Sequence, residues 1–105
     1  MRGYRLSKLA DEDLLSIFRF TQETWDEEQV WIYLNLLETL RARIVENPNC
    51  PGSTSREDLA PAGCRILRAG KHYFVYRVRD DVVEIARILH ESMDFERQIG
   101  DRESD

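Results

Sequence analysis

The chain has 105 residues, 42% of them hydrophobic, and a formal net charge of −5. That length supports one modest core rather than two domains, and no apolar run approaches the roughly 20 residues needed to cross a bilayer. The acidic balance excludes a global attraction to nucleic acid, so contact with DNA or RNA needs a local patch or an intermediary protein.

The N-terminus starts basic but has no apolar stretch of signal-peptide type, which makes the cytoplasm the expected compartment. Tyr4-Arg5-Leu6 reads as a short extended start, and Ser7 is a good N-cap. A first helix is expected over Lys8–Thr24, where Ala10, Leu14, Ile17, Phe18, Thr21 and Trp25 recur at three- and four-residue spacing. Asp11, Glu12 and Asp13 fall in its first turns, where the helix dipole favours acids. Asp26 with Gln29 gives a capping-box-like start to a second helix. Its face is Val30, Tyr33, Leu34, Leu37, Arg41 and Ile44, and it ends before Asn47-Pro48, because the residue preceding proline avoids the helical region. Two amphipathic helices joined by so short a link form an antiparallel hairpin.

Residues 47–63 carry Asn-Pro, Cys-Pro-Gly and Pro-Ala-Gly and read as a long irregular loop. Cys50 and Cys64 flank it. A bridge between them is sterically conceivable, but reduced thiols are the expectation in a cytosolic chain. With no C-x-x-C, and His72 and His90 far along the chain, neither metal nor cofactor is expected. Three strands follow, over 64–69, 72–79 and 82–89, linked by Gly70-Lys71 and Asp80-Asp81. In the last strand one parity holds Val83, Ile85, Arg87 and Leu89 and the other Val82, Glu84, Ala86 and Ile88, so neither face is clearly wet. The helical hairpin covers one side and something else visits the other. Six acids face two bases from Glu91 onward, and residues 100–105 read as an acidic, frayed tail beyond a single domain at 1–99.

Arg65, Arg68, Lys71 and Arg77, with His72, Tyr73 and Tyr76 among them, form either a cationic surface for acidic groups or phosphates, or the ordinary solvated charge of a small sheet. Arg87 interrupts an apolar run and therefore lies on a wet face or pairs with a carboxylate, since unpaired burial is costly. His90 and Asp94 are an acid/base pair or, more commonly for such residues at a strand exit, a local hydrogen-bonding cap. Trp25, Trp31 and Tyr33 gather at the helix–helix corner, where packing is the simplest role for aromatics. No P-loop, dinucleotide-binding fingerprint or hydrolase signature is present.

The order Tyr4-x-Leu6-Ser7, Ala10-x-x-Asp13-Leu14, Thr21, Trp25, Pro48, Gly52, Asp58-Leu59, Gly63-x-Arg65, His72, Tyr76-Arg77 and Arg87-x-Leu89-His90-x-x-Met93-Asp94 resembles the ParE-type toxins of the RelE/ParE toxin–antitoxin superfamily. The resemblance runs from Tyr4 to Asp94. It implies an α+β fold, with an N-terminal extended segment and an α-helical hairpin packed on a small antiparallel sheet. It further implies a toxin neutralised by a ParD-like antitoxin and poisoning DNA gyrase by contact, without bond chemistry of its own. The antitoxin would meet Trp31, Leu34 and Leu37 with apolar groups and Arg65, Arg68 and Arg77 with acidic ones. Gyrase would be held by His72, Tyr76, Arg87, His90, Met93 and Asp94. Two alternatives share the framework: a RelE-like ribosome-dependent mRNA endonuclease, and a degenerate module that only occupies its antitoxin. The segment from His90 to Glu96 is acidic where a phosphate would need neutralising, which favours the binding toxin.

Overall fold

The computed structural model describes residues 3–59, 62–95 and 97, so the expected tail at 100–105 and the domain limit at 99 lie outside the described residues. The elements in chain order are β1 (Gly3–Leu6), α1 (Lys8–Thr24), α2 (Glu27–Glu46), β2 (Thr54–Ser55), β3 (Arg65–Ala69), β4 (His72–Arg79) and β5 (Val82–His90). Both helices begin where the caps predict. Ser7 Oγ accepts from the Ala10 N–H, and an Asp26 carboxylate oxygen accepts from the Gln29 N–H. Helix α2 ends at its cap residue Asn47, directly before Pro48.

The sheet order is β1-β5-β4-β3-β2. The three hairpin-linked strands are antiparallel as expected, yet the whole sheet is mixed, because β1 lies parallel to β5 with Tyr4 opposite Val83 and Leu6 opposite Ile85. Strand β2, which the loop composition does not announce, pairs with the start of β3. The β4–β5 turn places both Asp80 and Asp81 at positive φ, 52° and 60°, a geometry Asp tolerates better than most residues.

An irregularity in the β4–β5 register explains the blurred alternation. Tyr76 faces Ile85, but the next pair is Val75 with Arg87, so Ala86 is an inserted residue. An extra residue reverses side-chain parity beyond it. Val83 and Ile85 therefore share the helix-covered face with Ile88 rather than with Arg87, in one cluster with Ala10, Ile17, Tyr33, Leu37, Phe74 and Tyr76. Leu89 turns to the opposite face, where it packs with Val75, Leu59 and Cys64, joined by Ile66 and Phe95. What visits that second face is the chain's own loop. Both cysteines are buried and free, and burial pushes the Cys64 thiol up to about 11, which keeps it protonated and unreactive. Among the described residues no helix is long and apolar enough to cross a membrane.

Candidate functional site

Beyond its parallel partner β1, strand β5 runs on past the start of α1. Ser7 and Asp13 seal part of the edge that β1 leaves open. The Ser7 hydroxyl donates to the Ala86 carbonyl at 2.6 Å, and Asp13 accepts from the Ile88 N–H at 2.9 Å. The same carboxylate receives Arg87 through two bonds of 2.8 and 2.9 Å, with both side chains mostly buried. Arg87 thus takes the paired option, with a partner 74 residues away in sequence.

Next to this pair a cleft of about 410 Å³ opens between α1 and the end of β5, lined by Asp13, Ser16, Ile17, Phe20, His72, Ile88, His90, Ser92 and Met93. The rings of His72 and His90 meet edge to face, 5.2 Å apart. His90 Nδ1 accepts from the Ser92 N–H at 3.1 Å and lies 2.7 Å from its hydroxyl, so the ring caps the strand exit and carries its proton on Nε2. His72 Nδ1 shares a hydrogen with the Tyr33 hydroxyl at 2.5 Å, and that hydroxyl also accepts from the Lys71 N–H at 3.0 Å. Burial, and then the neighbouring His90, lower His72 to about 4 against the opposing pull of Glu91 and Asp13.

His72 is therefore neutral at physiological pH, and its protonation opposes folding. The unfolded ring takes up its proton near 6.5 while the folded one waits until about 4. The contribution is fully present above the unfolded value and is lost as pH falls between the two. Urea midpoints measured from pH 7 down to 4.5 should fall less steeply for His72→Gln than for the wild type. Parallel profiles would refute the assignment.

A second groove of about 410 Å³ lies on α2, lined by Trp25, Gln29, Ile32, Tyr33 and Leu36. Ile32 is 62% exposed, Leu36 37% and the nearby Trp31 58%, an apolar ridge that no described segment covers. The two hollows meet at Tyr33 and His72. Rings run in edge contact from Trp25 to Tyr33 (5.1 Å), to His72 (5.6 Å) and on to His90.

Of the residues singled out in the sequence, the cleft gathers His72, His90 and Met93, with Arg87 held beside it by Asp13 and Asp94 exposed one residue beyond Met93. Tyr76 does not belong there. It is fully buried, donates to the Pro48 carbonyl at 2.6 Å and receives the Ser53 hydroxyl. Leu37 is likewise buried in the core, at 4% exposure, while Leu34 is half-buried and packs against it. These two positions are corrected by the depth of the helix–sheet interface: the periodicity identifies the apolar side chains but not which of them the sheet covers.

The sheet arginines do not form one patch either. Alternation puts Arg65 on the helix side, where it donates to Ser53 Oγ at 2.8 Å and to the Ser53 carbonyl at 3.2 Å. Arg68 and Arg77 point the other way. Arg68 pairs with Glu91 and donates to the Gly70 carbonyl and the Tyr73 hydroxyl. Arg77 meets Glu84 at 2.9 Å, a carboxylate also held by Arg5, and these two arginines keep Glu84 below the usual carboxylate range. Sequence reasoning missed Asp13, Phe20, Ile32, Leu36 and Ser92. The signal for the α2 pair was available: Trp31, Ile32 and Leu36 are apolar residues outside the helix's core stripe.

A family model described as the ParE toxin of the type II toxin–antitoxin system parDE matches residues 4–95. Over 100 residues the chain is 35% identical to Toxin ParE1 of Caulobacter vibrioides, spanning 95% of this chain and 100% of that one. It is 33% identical over 105 residues to Toxin ParE of Escherichia coli, spanning 97% of each. Among solved structures, the chromosomal ParDE TA system from P. aeruginosa shares the fold with a TM-score of 0.69, over 86% of this chain and 96% of that one at 17% identity. The match begins in β1 and closes at the turn beyond β5, taking in both helices, the whole sheet and both hollows, and so the chain belongs to the ParE toxin family of type II toxin–antitoxin systems.

Proposed function

We propose that this chain is the toxin half of a cytoplasmic type II pair, held inactive by a ParD-like antitoxin and acting, when free, on DNA gyrase by binding. The antitoxin's apolar face lies on the α2 ridge of Trp31, Ile32 and Leu36, with Leu34 at its margin. Arg65 supplies a cation for an acidic group of the partner, since among the described residues it touches only neutral oxygens. Arg68 and Arg77 are available only by exchanging Glu91 and Glu84 for the partner's acids. The target meets the mouth of the cleft, at His72, His90, Met93 and Asp94, with Arg87 behind them.

The observation that carries binding over cleavage is the state of the cations. At the cleft, Arg87 is neutralised by Asp13 and His72 is uncharged at neutral pH, and Arg65, which meets no carboxylate among the described residues, does not line it. Phosphodiester cleavage needs cations free to meet developing phosphate charge.

Purified chain is expected to accumulate cleaved DNA with gyrase and to leave mRNA intact in a translation reaction, with antitoxin reversing the effect. Cleaved mRNA with normal supercoiling would make the chain a RelE-like nuclease. No effect in either assay, and no toxicity on expression without antitoxin, would leave it an antitoxin-binding module.

A further inference from the structure

Strand β5 keeps two outward main-chain groups that nothing in the described chain satisfies. Ile88 gives its N–H to Asp13 rather than to β4, so the Phe74–Ile88 pair is of the non-hydrogen-bonded kind and both main-chain groups of Ile88 face the edge. The His72–His90 pair, two residues on, has the same character, and the Glu91 N–H returns to the ladder by donating to the Lys71 carbonyl at 2.8 Å. The His90 carbonyl is taken by the Met93 N–H at 3.0 Å. What remains is the Ile88 carbonyl and the His90 N–H, which have no hydrogen-bond partner among the described residues.

That remainder selects the direction of an incoming strand. An antiparallel neighbour needs both the N–H and the carbonyl of one residue, and Asp13 and Met93 have each removed one half. A parallel neighbour needs the carbonyl of one residue and the N–H of the residue two further on, which is what Ile88 and His90 offer. β1 already runs parallel along the first half of β5, and the Ser7 N–H donates to the Ile85 carbonyl at 2.9 Å in the same pattern. The open position continues the line that β1 abandons when its chain turns into α1.

We propose that the cleft at this edge is a parallel strand-addition site for an extended segment of the antitoxin, one of whose residues pairs opposite Leu89 between the Ile88 carbonyl and the His90 N–H. The proposal rests on the antitoxin reading above. The two residues flanking the paired one turn their side chains to the Ile88 and His90 face, against Ile17, Phe20 and Met93, so they are apolar. Continuity favours this occupant: a segment leaving the α2 groove reaches the cleft directly, because Tyr33 lines one and its hydrogen-bond partner His72 lines the other. Main-chain pairing gives the affinity and the apolar walls give the preference.

The test is amide exchange by NMR on the full chain, free and in complex with antitoxin, together with calorimetry of Ser16→Trp. Ser16 is exposed on α1 and lines the cleft, so the indole fills the space without entering the core. In the complex the His90 N–H should slow by at least about tenfold more than that of Ile88, which Asp13 already holds, and Ser16→Trp should bind about tenfold more weakly. A complex that forms at full affinity with Ser16→Trp, and leaves the His90 amide exposed, overturns this inference and spares the antitoxin reading. No complex at all overturns both. Concentration-dependent protection of His90 in the free chain would give the site to a second copy and overturn the proposal.

Discussion

Asp13→Ala is expected to lower the unfolding free energy by about 3 kcal/mol, the scale for removing one partner of a largely buried ion pair. The carboxylate holds two Arg87 nitrogens and the Ile88 N–H, and the two side chains are 14% and 12% exposed. Its loss leaves a guanidinium with little water and a strand N–H with no acceptor. At about 4–8 °C per kcal/mol for a domain of this size, the melting temperature should drop by roughly 12–24 °C. A drop of only a few degrees would mean that the pair behaves as an exposed one, worth about 1 kcal/mol or less. The double variant Asp13→Leu, Arg87→Met should recover most of the loss, because replacing both charges by apolar groups removes the desolvation cost along with the attraction.

Gly70→Ala is expected to cost about 3 kcal/mol, combining left-handed backbone strain of about 1–2 kcal/mol with overpacking of about 1–3 kcal/mol. Gly70 sits at φ 64°, and a Cβ there would stand 2.6 Å from Tyr33 Cε1 and 3.0 Å from its hydroxyl oxygen. The Tyr33 ring has little freedom to move aside. Its hydroxyl is fixed by the Lys71 N–H and by His72, and its ring packs on Trp25. Gly63→Ala separates the two causes: φ there is 80°, yet nothing lies within 4 Å of the added carbon, so only strain remains. Equal melting temperatures for the two variants would show that the Tyr33 contact is unimportant. A much lower one for Gly70→Ala would identify Tyr33 as the peg that positions the β3–β4 turn, and with it His72 in the cleft.

Much of the fold was legible because its signals are local. The caps Ser7 and Asp26 act within three residues, the stop at Asn47-Pro48 acts on its neighbour, and the Asp80-Asp81 turn needs only its own backbone. The site was legible in part. His72, His90 and Met93 come together at one cleft, whereas the arginine row divides between the two faces of the sheet. Tyr76 and Leu37 are buried in the core, Leu37 on the α2 stripe that its spacing marks as apolar.

By itself the sequence determined the two helices, the three long strands, their turns and the family. Periodicity, capping and turn chemistry are short-range properties, and the order of the motifs is written in the chain. Tertiary structure alone decided the parallel return of β1, the inserted Ala86 that reverses parity in β5, and the Asp13–Arg87 pair closing part of the edge. Each depends on which residues distant in sequence come to lie side by side, and a one-residue change of register redirects every side chain beyond it.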